Sequence, residues 1–153
     1  MLFLLTAGCS PSGHPPGTSG QAPHQESSAA AVEYLATAEP ANRRLDAEVQ
    51  SYADHEHRNL AAAEAALRAE AVTERWFDHR LLKIPFPPSV AATAQALVRA
   101  NERRAELADR QAGSPSLAAL QSFTRGHQLA DAAVEAQVKA IRRTLGLPPP
   151  KTS

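Results

Sequence analysis

A chain of 153 residues suits one domain, and its 16 basic and 16 acidic residues cancel. That balance leaves no electrostatic case for a nucleic-acid partner, which wants a basic stripe or patch. The single cysteine excludes an internal disulfide framework and a cysteine-based metal quartet. Beyond Leu5 no apolar run is long enough to span a bilayer as a helix.

The chain opens on an apolar run, Met1-Leu2-Phe3-Leu4-Leu5, followed by Thr6-Ala7-Gly8-Cys9. Leu5 to Cys9 resembles the lipobox of bacterial lipoproteins, in which small residues precede a cysteine that is diacylated before cleavage on its N-terminal side. The resemblance covers these five residues only. It implies a signal segment over residues 1–8, palmitate-like acyl chains on Cys9, and an address on the extracytoplasmic face of the cell membrane. Two acyl chains hold a protein stably where one does not. A secretory signal carries a basic start and an apolar run of about 7–15 residues. Only eight residues precede Cys9 and none is basic, so we expect a truncated signal.

Residues 9–26 read as a lipidated cysteine and its tether. Ser10 to Gln25 holds four prolines, three glycines and no large apolar residue, too little to offset the entropy of ordering. As a flexible coil it would span about 20–25 Å. His14 and His24 fall here as solvated side chains.

Residues 27–147 read as a helical domain. Ser27 and Ser28 are candidate caps for a first helix from Ala29, with a stripe at Val32, Leu35, Ala38, Leu45, Val49 and Tyr52. The stripe keeps register across Pro40, which predicts a kink rather than a break. Six polar residues, Asp54 to Asn59, then interrupt it, and Asn59 is a fair cap for a second helix. Without a turn here one helix would run from Ala29 to about Leu82, roughly 80 Å, leaving three helices with one long arm. The second helix carries Leu60, Ala63, Leu67, Ala71, Phe77 and Leu81, and Ile84-Pro85-Phe86-Pro87-Pro88 ends it.

Ser89 is the expected cap of a third helix striped by Val90, Ala94, Leu97, Ala105 and Ala108 and closed by Gly113. Ser114-Pro115 should open a fourth, striped by Leu117, Leu120, Phe123 or Thr124, His127, Val134, Val138, Ile141 and Leu145. Gly146 is its left-handed terminator, and residues 148–153 form a tail. Four helices of similar length with short turns predict an all-α, up-down-up-down antiparallel four-helix bundle.

Chemistry-bearing residues are sparse. Asp54, His55, Glu56 and His57 are natural ligands for a transition metal. His55 and His57 point about 200° apart on a helix, so only a turn would let them share an ion. His127 lies on the fourth stripe, where a buried ligand would sit, and His79 is a further candidate. Phe77 reads as core and Trp76 as a flanking contact or an interface residue. No nucleophile elbow, phosphate loop or His-Glu-x-x-His motif is present. The carboxylates lie among arginines, as in Glu102-Arg103-Arg104, and read as solvated surface.

These features lead us to expect a lipid-anchored, non-enzymatic interaction or binding module of the bacterial cell envelope. It would hold the membrane through Cys9, engage an envelope partner and need no cofactor. The rival reading is a metal-binding or metal-sensing lipoprotein built on Asp54–His57.

Overall fold

A computed structural model describes the backbone of residues 22–150 and the side chains from Glu26 onward. Cys9, the signal-like stub and most of the expected tether lie outside the described residues, as do the last three residues of the tail. Among the described residues the structure is all-helical, in four long helices.

Helix α1 runs Ala22–His55, about 51 Å. It starts inside the expected tether, so Ser27 and Ser28 lie within it and do not cap it. Pro23 falls in its first turn, where a missing N–H is already without a helical acceptor. The helix continues through Pro40, whose ring leaves the carbonyl of solvent-facing Ala36 without its helical donor.

The expected turn is present. Arg58 and Asn59 donate their backbone N–H groups to His55 O at 2.9 Å. Asn59 is extended (φ −145°) and its side chain accepts from Ala62 N at 3.1 Å, so it caps α2, Leu60–Leu81. The single long arm is thereby excluded.

Helix α3, Pro88–Gln111, starts one residue before the expected cap. Its N-cap is Pro87, with Pro88 inside the first turn and no side-chain cap. Proline's fixed φ and absent N–H suit that position better than Ser89 suits the cap. Arg68 Nη2 covers the far end of α3, donating to Ala112 O at 2.8 Å.

The fourth segment departs most from expectation. Ser116, not Ser114, caps it, accepting from Ala119 N at 3.2 Å, and Ser114 lies buried with its hydroxyl unpartnered. One α-turn, α4 (Leu117–Leu120), passes through a 3₁₀ turn at Gln121–Phe123 into α5, Thr124–Thr144. Ser122 Oγ donates to Ala119 O at 2.7 Å and Thr124 Oγ1 to Gln121 O at 2.9 Å. These hydroxyls compete with the helical ladder and interrupt a helix the stripe alone would continue. At the far end Gly146 takes φ 70° as expected. Leu147 N donates to Arg142 O at 2.8 Å, a Schellman closure.

Consecutive helices pack together: α1 on α2, α2 on α3, and α3 on α5. Their apolar contacts form two clusters. One joins Tyr34, Phe77, Leu81, Val90, Leu97, Ile141 and Leu145; the other joins Leu67, Leu120 and the alanines of α2 and α3. Alanine supplies more than half of the buried apolar residues, so the axes approach closely and each contact buries little area. A methyl group on Gly126 would lie 3.1 Å from Leu107 Cδ2, which marks the tightest approach of α5 to α3 among the glycines.

The buried face of α1 also differs from the expected stripe. Val32 is 68% exposed and Val49 46%, whereas Tyr34 is 2% exposed. The true seam follows Ala31, Tyr34, Ala38, Ala41, Leu45, Glu48 and Tyr52, alternating three and four residues.

Candidate functional site: a charged layer in the bundle interior

The same three-and-four alternation runs along every long helix, and midway along each it meets polar residues. On α2 it reads Leu60, Ala63, Leu67, Glu70, Glu74, Phe77, Leu81; on α3 Val90, Ala94, Leu97, Asn101, Arg104, Ala108, Gln111. On α5 it reads His127, Asp131, Val134, Val138, Ile141, Leu145, and on α1 Glu48 occupies the matching place. Four helices therefore deliver charge to one level between the two apolar clusters.

At that level three carboxylates converge on one guanidinium. Arg104 Nη2 lies 2.9 Å from Glu70 Oε1, Nη1 lies 2.7 Å from Glu74 Oε1, and Nε lies 2.8 Å from Asp131 Oδ1. These contacts are ion pairs; Arg104 Nε and both Glu74 oxygens are buried without a well-formed hydrogen bond, and Glu74 Oε2 has no charged partner either although Glu74 is only 2% exposed. One turn further along α2, Asp78 accepts from Asn101 Nδ2 at 2.7 Å. On α1, Glu48 Oε1 accepts from Thr73 Oγ1 at 2.8 Å, and Glu48 Oε2 is buried and unpartnered.

Burial of carboxylates beyond the reach of one cation has a predictable result. Burial drives the Glu74 carboxyl up to about 8 against the pull of Arg104, and the neighbouring acids Glu70, Asp78 and Asp131 add to the rise. Burial takes Asp78 to about 7, opposed by the Asn101 hydrogen bond, and it raises Glu70 as well. Burial works against the Arg104 charge too, but Glu74, Glu70 and Asp131 outweigh it and hold the guanidinium above its ordinary value. His127 is held down by burial, with Nε2 unpartnered. With both ionised, the buried carboxylates of Glu70 and Glu74 would leave one uncompensated negative charge beside Arg104, and half-exposed Asp131 adds another at the solvent side. Retained protons reduce that excess.

Beside this layer the four helices line a partly open cavity of about 80 Å³. Glu74, Asn101 and Arg104 form its polar wall; Tyr34, Phe77, Leu97, Val134 and Val138 form most of its apolar wall. Arg142 and Pro150 also line it. The Arg142 guanidinium donates from Nε to Pro148 O at 2.6 Å, and its charge lies close enough to Tyr34 to oppose the rise that burial gives the phenol. Arg104, Glu70 and Glu74 are thus interior groups, with Asp131 meeting Arg104 from the exposed side, which corrects the reading of Arg104 within Glu102-Arg103-Arg104 as solvated surface. That reading does describe Glu102, which meets half-exposed Arg75 at 3.1 Å.

The Asp54–His57 cluster falls at the α1–α2 turn and is not drawn into one site. His55 Nδ1 lies 2.7 Å from Ser51 O, back along α1. Asp54 Oδ1 accepts from Gln50 at 3.0 Å, while Glu56 Oε2 accepts from Gln121 at 3.2 Å. His57 is 74% exposed, 3.5 Å from Glu56 Oε1. His79 is exposed near the end of α2. Among the described residues no three His, Cys, Asp or Glu side chains gather in a way that could hold a metal ion. Trp76 is a bundle residue: it packs on the larger apolar cluster, flanked by the guanidinium carbons of Arg44 at 4.9 Å and Arg80 at 5.4 Å.

No protein-family model matches the chain, and no curated protein or solved structure matches it either. The functional reading therefore rests on the molecule's own geometry.

Proposed function

We propose that this chain is a non-enzymatic binding module of the bacterial cell envelope, held to the membrane by acyl chains on Cys9, with the four-helix cavity as its binding site. The observation that carries the binding half is that cavity, on whose wall Glu74 is only 2% exposed and keeps one carboxylate oxygen, Oε2, without a partner. A buried, unsatisfied charged group costs stability, and well-packed apolar residues in its place are often neutral or stabilising. A module selected for stability alone would not keep it. The anchoring half is supported by the lipobox-like Leu5–Cys9, and among the described residues no helix is long and apolar enough to cross a membrane.

The anchoring half is tested by growing a bacterial host on an alkyne-bearing palmitate analogue while it expresses the full chain. Wild type should take up the label and sediment with membranes. Cys9→Ala should do neither. An unlabelled wild-type chain in the cytosol would remove the anchor from the proposal.

A further inference from the structure

Two guanidiniums line the cavity, Arg104 and Arg142, and only one of them already has its acids. Resting on the reading of the cavity as the binding site, we infer that it takes a short-chain monocarboxylate. The carboxylate would sit on Arg142 at the mouth, in place of the Pro148 carbonyl, with the alkyl tail between Val134 and Val138.

Charge gives the sign. Arg104 is neutralised by Glu70, Glu74 and Asp131, one at each of its nitrogens. Arg142 is half-buried, and among the described residues no carboxylate forms an ion pair with it. Its hydrogen bond goes to a neutral acceptor, Pro148 O at 2.6 Å, and its charge is felt by Tyr34 on the same wall. The one acid lining the cavity, Glu74, keeps its proton up to about 8, so near neutral pH Arg142 is the wall charge left without a counter-charge. A carboxylate supplies that charge and can take two parallel N–H donors where a carbonyl takes one. Arg142 lies eleven positions beyond Asp131 on α5, about 16 Å along the axis, so the anion stays clear of the acids around Arg104.

The group it displaces is lightly held. Gly146, at φ 70°, turns the chain back after α5. Leu147 is fixed by its N–H to Arg142 O and by packing on the larger apolar cluster. Beyond it Pro148, Pro149 and Pro150 have no N–H, so this strap can donate nothing to the bundle. What holds it is the Pro148 carbonyl and the seat of Pro150 on the cavity wall, while Pro148 and Pro149 are exposed. A carboxylate that takes Arg142 therefore frees the strap, which occupies the mouth until it does.

Size sets the tail. A dry cavity of about 150 Å³ admits benzene, with six heavy atoms, so about 80 Å³ admits about three carbons with the carboxylate at the opening. That is the tail of butyrate.

The test is thermal unfolding of the full chain with sodium butyrate, against butylammonium chloride, 1-butanol and sodium chloride at matched ionic strength. Butyrate should raise Tm by several degrees along a saturating curve, and the other three should not. Arg142→Met, which keeps an apolar stem and removes the charge, should abolish the shift. Val138→Phe, which fills the tail site, should do the same. Pro149→Gly combined with Pro150→Gly loosens the strap and should tighten butyrate binding several-fold. A butyrate shift that survives Arg142→Met would overturn the inference, as would an equal shift with butanol or weaker butyrate binding with the loosened strap. Saturable binding of butanol or butylammonium alone, removed by Val138→Phe, would leave the cavity a binding site and sink only the carboxylate. Saturation by none of the probes would sink both.

Discussion

Glu74 concentrates the electrostatics of the molecule in one side chain. Its carboxyl sits at about 8 in the folded protein against 4.5 in an exposed one, so folding takes up a proton between those values. The stabilising contribution is complete below 4.5 and is lost as pH rises through 8. Asp78, at about 7 against 3.8, acts in the same direction over a lower window. His127 opposes them: its depressed value contributes stability above the ordinary histidine range that is lost at lower pH. For one proton, stability should therefore rise by about 2 kcal/mol from pH 8 to pH 6, measured by urea denaturation at both. Glu74→Gln, which keeps the shape without the charge, should reduce that slope to the part carried by Asp78 and be more stable than wild type at pH 8. A slope undiminished in Glu74→Gln would place the titration elsewhere. Parts of this site were legible in the sequence. The expected fourth stripe passed from His127 to Val134, and the place it skipped is Asp131, the residue that meets Arg104. On α3 the stripe omitted Asn101 and Arg104, which hold the seam register perfectly. A search restricted to apolar residues discards the very positions where a buried charge interrupts them.

At the scale of elements, local chemistry explains both the hits and the misses. Asn59 was recognisable because six polar residues separate it from the preceding stripe and an alanine run follows it. Its side chain does accept from Ala62 N, so Asn59→Ala should cost about 0.5–2 kcal/mol. Ser89→Ala should change little, because Ser89 is an exposed residue inside α3 rather than its cap. Chemical denaturation of the two variants side by side checks the assignment. Pro40 poses the opposite problem, a helix breaker that does not break. Replacing it with Ala restores a donor to the carbonyl of Ala36 and should stabilise the chain by about 1–3 kcal/mol, less whatever the freer unfolded chain recovers. A loss of stability would mean that the fixed φ of Pro40 contributes more than the helical donor it removes. The missed 3₁₀ turn at 121–123 has a clear source: stripe spacing records where apolar groups fall and is blind to hydroxyls competing for backbone carbonyls.

For the whole molecule, the main tension lies between an alanine-rich core and a charged middle. The bundle architecture was readable because four stripes and three turns admit few arrangements; its interior was not, because pairing depends on which seam positions meet across helices. Replacing Glu70, Glu74 and Arg104 together with leucine or methionine should raise stability at pH 7 by about 1–4 kcal/mol. The same variant should show broadened or doubled amide resonances. If its spectrum stays as sharp as that of wild type, the charges have no part in defining the packing. Alanine seams look alike at every turn, and a helix can slide along such a surface with little to stop it. Displacing α3 by one heptad, about 10 Å, would carry Arg104 away from Glu70 and Glu74 and strand all three charges in an apolar interior. The polar layer is therefore also a ruler: it marks the one alignment of four otherwise interchangeable rods.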